Sequence, residues 1–166
     1  MYSALPAYAE LHCISNFTFF RGASHPEELV KRAAELGYSA LAITDECSFA
    51  GIVRAHVAAK ECGLPLIIGT EVRLEGGPEL VLLATDREGY GNLSELITTG
   101  RRRGKKGSYN LARADLDQGL ADCLALLVPG EKPDVAHAGW LAERFPGNAW
   151  IAVELLCGPN DRARLA

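Results

Sequence analysis

The chain alternates short, unbroken apolar runs with amphipathic stretches along its whole length. "SALAITDE", "PLIIGTEV", "ELVLLAT", "CLALLV" and "AWIAVELL" are continuously apolar rather than apolar at every second residue. Strands covered on both faces need that pattern, as parallel strands packed under helices are. Between these runs, Leu29, Ala33 and Leu36 share one helical face, Gly51 to Cys62 reads as a helix closed by Gly63, and Tyr90, Leu93, Leu96 and Ile97 mark another helix. A further helix is expected from Val135 to Phe145. Strand and helix in turn specify an α/β fold with mainly parallel strands. At its start, an apolar run from Tyr8 to Ile14 feeds a polar loop reaching Gly22. Ser24 and Glu27 then form a capping-box pair for the first helix, with Pro26 in its first turn.

With 166 residues, 48% of them hydrophobic, the chain can bury one ordinary core, so residues 1–166 are read as a single domain. A closed β/α barrel takes about 250 residues. The chain stops at "GPNDRARLA", where another helix is opening. A barrel begun here would be incomplete at its C-terminus and leave apolar faces uncovered. A formal net charge of −4 argues against a module that holds nucleic acid by bulk electrostatics. The cysteines, Cys13, Cys47, Cys62, Cys123 and Cys157, have no paired short spacing, which suggests neither a disulfide framework nor a zinc knuckle and fits a reducing compartment. Met1 to Tyr8 lacks a basic start followed by a long apolar run, and no apolar stretch approaches ~20 residues, so a cytoplasmic protein without a membrane span is expected.

In parallel α/β folds the working residues sit where strands end. His12, Asp45, Glu46 and Glu71 all fall there. Converging on one point, His12, Asp45 and Glu71 would offer nitrogen and oxygen ligands to zinc or manganese. The competing reading makes the acids helix caps or loop solvators, Asp45 through an Asx turn. His25 reads as a surface residue, His56 as semi-buried on the Ile52 and Ala59 face, and His137 as a helix residue without a catalytic part. "RRRGKKG" gathers Arg101, Arg102, Arg103, Lys105 and Lys106. It reads as a solvated, mobile loop, with phosphate contact as the alternative. Walker, GxGxxG and GxSxG elements are absent, which removes nucleotide-loop and serine-hydrolase readings.

The stretch from "ELHCISNFTFFRGASHPEELV" through "GLPLIIGTEV", together with "LVLLATDREGYGNLSELIT", resembles the N-terminal polymerase and histidinol phosphatase (PHP) domain of bacterial C-family DNA polymerases, and most of all their error-prone branch. The resemblance implies a distorted β/α barrel with a metal cluster at its strand ends, truncated here before its last strands. It matches the family's ligand motifs unevenly. The first, His-x-His, stands here as His12, Cys13 and Ile14; the second, Asp-His, as Asp45 and Glu46; the glutamate of the third matches Glu71; and a histidine that often opens the "LVLLA" strand is Glu79. Three histidine positions are altered, so the site reads as eroded, with no tightly bound cofactor expected. His12, Asp45 and Glu71 should still cluster, with backbone amides, Ser15 and Thr44 satisfying the acids.

The implied function is that of the N-terminal part of a damage-induced, error-prone DNA-directed DNA polymerase acting in translesion synthesis and repair, with a structural role for this domain and the polymerase aspartates elsewhere. The implied partners are DNA through the parent polymerase, the rest of that chain, a sliding clamp and mutagenesis accessory proteins, with no membrane. The alternative is a metal-dependent phosphoesterase or 3'-5' proofreading exonuclease using zinc or manganese at His12, Asp45, Glu46 and Glu71.

Overall fold

Consecutive strands of this chain lie side by side, and their helices cover one face of the resulting sheet. The computed structural model describes residues 7–130, 133–155, 158–159 and 161–164. The elements run β1 (Ala9–Glu10), α1 (Pro26–Glu35), β2 (Ala40–Ile43), α2 (Ile52–Cys62), β3 (Leu66–Arg73), β4 (Glu79–Ala84), α3 (Arg87–Arg103), a 3-10 turn (Arg113–Leu116), β5 (Cys123–Val128), α4 (Val135–Arg144), β6 (Ala149–Ile151) and α5 (Asp161–Arg164). Sheet order follows chain order, β1 to β6. Pairings β1–β2, β2–β3 and β5–β6 are parallel, while β3–β4 and β4–β5 are antiparallel.

The antiparallel step comes from the Gly-Gly turn. Gly76, at φ +60, takes a left-handed backbone, and the turn is too short for a crossover, so β4 must return beside β3. Register then decides the faces. Glu71 stands opposite Val81 and Arg73 opposite Glu79. Cross-strand partners share a face. One face therefore carries Val81, Leu83, Leu126 and Ala42 as a buried apolar cluster, with Glu71, Arg73 and Glu79 toward one end of it. The opposite face, with Val72, Leu80, Leu82, Ala125 and Leu127, packs under α3 and α4 through Leu93, Leu96, Leu141 and Phe145. Leu41 and Ile43 of β2 pack against Val30 and Ala33 of α1 and Ala55 and Ala59 of α2.

The sheet curls as a barrel wall does. His12, just after β1, is hydrogen-bonded through Nδ1 to Glu154, just after β6, so chain leaving the first and last strands meets at one rim. Around that contact, Trp150, Ile151, Val153 and Leu155 are exposed.

Five local expectations change, the first being that the strand expected over "AWIAVELL" is, among the described residues, only Ala149–Ile151. The strand expected from Tyr8 to Ile14 is only Ala9–Glu10, because the chain turns into the polar loop directly afterwards. The N-cap of α1 is His25, one residue later than Ser24, and its backbone N–H donates to Glu28 at 2.7 Å. Pro26 at the first helical position sets that register, and Glu27 pairs instead with Arg54 of α2. His56 is exposed rather than semi-buried. The basic segment is not a loop throughout, since Arg101, Arg102 and Arg103 complete the last turn of α3, where cations suit the helix dipole. Arg101 donates to the carbonyls of Cys47 and Glu46, each at 3.0 Å, and Arg103 pairs with Asp115 at 2.6 Å. Arg102, Lys105 and Lys106 are exposed. Cys13, Cys47, Cys62 and Cys123 are free thiols, and Cys157 lies outside the described residues.

Candidate functional site

The loop after β1 folds back across the strand ends and is held by one carboxylate. Asp45, 1% exposed at the end of β2, accepts from the Ser15 backbone N–H, the Ser15 hydroxyl and the Thr18 hydroxyl, each at 2.7 Å. Thr18 Oγ1 also accepts from the Glu46 N–H at 3.0 Å, and Asn16 N–H donates to the Ser24 carbonyl at 2.8 Å. Thr44 bridges instead to Cys13, accepting from its N–H at 3.0 Å and donating to its carbonyl at 3.1 Å. One backbone amide and the hydroxyl of Ser15 thus satisfy Asp45, and the further hydroxyl is that of Thr18 rather than Thr44.

The loop delivers Arg21 to the rim. Its guanidinium forms a fork on Glu71, with Nη1 on Oε1 and Nη2 on Oε2 at 3.0 Å, and Nη1 also reaches Glu46 Oε2 at 3.1 Å. Glu79 Oε1 lies 4.0 Å from Nη2. Planar bidentate pairing of this kind is the strong form of an arginine–carboxylate contact. Glu71 is wholly buried, and His12 Nε2 approaches its Oε2 at 2.9 Å. The other His12 nitrogen meets Glu154. Both ring nitrogens of His12 are thus engaged by carboxylates.

Around this centre, Arg73 Nε lies 2.9 Å from Glu79 and 3.8 Å from Glu71. Tyr109 donates its hydroxyl hydrogen to Glu46 at 2.9 Å and accepts from the Arg73 N–H at 2.9 Å. Arg101 lies over the Tyr109 ring, 5.4 Å from its centroid. Glu46 and Glu71 are neighbours because the chain after β2 makes a parallel bridge to β3 at these two residues.

The titration directions follow these contacts. Burial acts to raise the Glu71 pKa, but hydrogen bonds from His12 and Arg21 outweigh it and hold the carboxyl well below its ordinary range. Burial acts to lower the His12 pKa, and the bonds to Glu71 and Glu154 reverse this and raise it. Glu79 is raised by burial and by the nearby Glu71 charge. Burial pushes the neighbouring Cys13 and Cys47 thiols each up to about 11, which keeps them protonated and poor nucleophiles.

His12 and Glu71 come together as expected, and Glu46 joins them through Arg21. Asp45 is engaged elsewhere: both its oxygens serve the 15–22 loop. Ile14 offers no donor atom. Among the described residues, no group of three or more histidines, cysteines, aspartates and glutamates is arranged to hold a metal ion. The residue missed in the sequence is Arg21. It is the only lysine or arginine in the first 30 positions, and a wholly buried Glu71 with no lysine or arginine inside its own apolar run required a cation from elsewhere.

The profile described as "PHP domain" matches residues 10–150. The error-prone DNA polymerase of Dechloromonas aromatica is 60% identical over 168 residues, covering 98% of this chain and 16% of that protein. That of Pseudomonas aeruginosa is 60% identical over 161 residues, covering 97% and 16%. The chain therefore spans about one sixth of the length of these relatives. Among solved structures, a Bifidobacterium adolescentis protein provisionally described as a metal-dependent phosphoesterase superposes with a TM-score of 0.69 at 16% identity, over 96% of this chain and 82% of that one. An amidohydrolase from Chromobacterium violaceum superposes with a TM-score of 0.64 at 16% identity, over 96% and 81%. At such identity these two likenesses concern the fold alone. A match from Glu10 to Trp150, on a curling sheet that gathers its acids at one rim, establishes that the chain belongs to the PHP domain family.

Proposed function

We propose that residues 1–166 act as the N-terminal part of the PHP domain of an error-prone DNA polymerase working in damage-induced mutagenesis and translesion synthesis, in a structural rather than catalytic role. The polymerase half of the reading is supported by relatives at 60% identity over nearly the whole chain. The structural half rests on one observation: Asp45, the aspartate matched to the family's second ligand motif, spends both oxygens on Ser15 and Thr18. A hydrolytic metal site needs bridging carboxylates free to coordinate and a bound water to activate. Here the strand-end acids bind loop hydroxyls, amides and guanidinium groups. In this reading the domain supports the remainder of the polymerase chain and its path for DNA in the cytoplasm. Sliding clamp and mutagenesis accessory proteins act through that larger chain, and exposed Arg102, Lys105 and Lys106 are available for weak phosphate contact.

The test is hydrolysis by the purified chain, with manganese or zinc supplied, on p-nitrophenyl phosphate and on the 3' end of single-stranded DNA. Background rates are expected. Metal-dependent hydrolysis that Asp45→Asn abolishes would contradict the structural role and favour the phosphoesterase or exonuclease alternative.

A further inference from the structure

The fold family implies metal ions at this rim, and the residues present do not fit them. The Ile14 side chain has no ligand atom, Asp45 is held to the loop through both oxygens, and both nitrogens of His12 are engaged by carboxylates. What remains are Glu46, Glu71 and Glu79, three carboxylates around one space, with Glu71 wholly buried. Carboxylates brought this close need positive charge between them. That charge is present. Arg21 lies with its fork on Glu71, one nitrogen on Glu46 and the other 4.0 Å from Glu79.

We infer that the guanidinium of Arg21 stands in for a metal ion, so that the rim carries its cation within the polypeptide. The inference builds on the structural half of the proposed function and is indifferent to the polymerase half. Three features support it beyond the charge. Arg21 reaches the space from a loop rather than from a strand, so its position is imposed by the Asp45 anchor three residues away at Thr18 and by the close packing of Gly22 on Ser15. Phe20, beside it, takes φ +65, a left-handed backbone rare for a bulky residue, which aims the chain at the rim. Its ring is fully exposed, so ring burial does not compensate that conformation. A second arginine near the trio, Arg73, approaches Glu71 only to 3.8 Å and serves chiefly Glu79.

Thermal unfolding of the chain with manganese as the only added ligand tests this. Arg21→Ala leaves Glu71 buried with its charge compensated only by His12 and the more distant Arg73, and the midpoint should fall by roughly 10 °C. Manganese, an oxygen-seeking cation, should recover part of that fall in the variant and leave the wild-type midpoint unmoved. The double variant Arg21→Ala with Glu71→Gln removes the unpaired charge and should unfold above Arg21→Ala alone, a comparison that holds even if the single variant folds poorly. An Arg21→Ala midpoint equal to wild type, or one that either manganese or the added Glu71→Gln fails to raise, would overturn the inference. Either result would leave the proposed function untouched, because that reading falls only to metal-dependent hydrolysis by the wild type.

Discussion

Replacing Asp45 with alanine is expected to lower stability by about 4 kcal/mol, while Asp45→Asn costs about 1 kcal/mol. The contrast follows from where each hydrogen bond lands. Oδ1 accepts from the Ser15 N–H and the Thr18 hydroxyl, and Oδ2 accepts only from the Ser15 hydroxyl. Asparagine keeps Oδ1 for the Ser15 N–H and the Thr18 hydroxyl, and its amide can donate to the Ser15 hydroxyl oxygen, so only the Ser15 hydroxyl hydrogen loses its acceptor. Alanine leaves three buried donors facing nothing, each a cost of about 1–3 kcal/mol before relaxation. Denaturant unfolding of the two variants checks the order. A metal ligand would behave differently: asparagine would weaken coordination by removing the charge, and alanine would differ little from it. Equal stability losses for the two variants would contradict the anchoring role.

Gly22→Ala should be nearly as damaging, at about 3 kcal/mol, although the glycine has an ordinary backbone conformation. A Cβ at Gly22 would stand 1.9 Å from the Ser15 carbonyl oxygen and 2.3 Å from its carbon. Those atoms are backbone, so the loop itself has to move. Movement there draws Ser15 from Asp45 and Arg21 from Glu71 together, which couples a small steric change to both polar clusters. Gly91→Ala is the control. It lies within α3 with nothing within 4 Å of its Cβ position, and it should stabilise by up to about 1 kcal/mol through helix propensity. Opposite signs for the two substitutions are expected in thermal unfolding, and a neutral Gly22→Ala would show that the loop is not closely held.

What the sequence carried and what it withheld separate along physical lines. Apolar runs and helical periods placed β2 to β5 and α1 to α4, because burial is a local pattern that repeats along the chain. Gly63 ends α2 with φ +66, as its position after the last apolar turn required. The direction of β4 was harder to read. A continuous apolar run is compatible with either direction in a sheet covered on both faces, and only the shortness of the Gly76–Gly77 turn decides it. In the basic segment, charge density suggested a loop, yet α3 continues through Arg103 because nothing before Gly104 stops it. Strand-end acids were found as a class, since their place at the edge of a run is visible. Which of them face each other was not. Asp45 turns to the loop and Glu46 to the rim, a consequence of side chains alternating along extended backbone that spacing across a bend does not fix. Arg21 was the most hidden, because a residue in an irregular loop is positioned by long-range hydrogen bonds rather than by any period.

The cation between Glu46 and Glu71 in the native chain distinguishes an arginine-filled rim from a metal site. Crystals of the wild-type protein soaked in manganese or zinc, with anomalous diffraction recorded at the metal edge, address it directly. The expected map shows the Arg21 guanidinium on both carboxylates and no anomalous peak at the rim. A strong peak bound by His12, Glu46 and Glu71, with Arg21 turned away, would contradict the account.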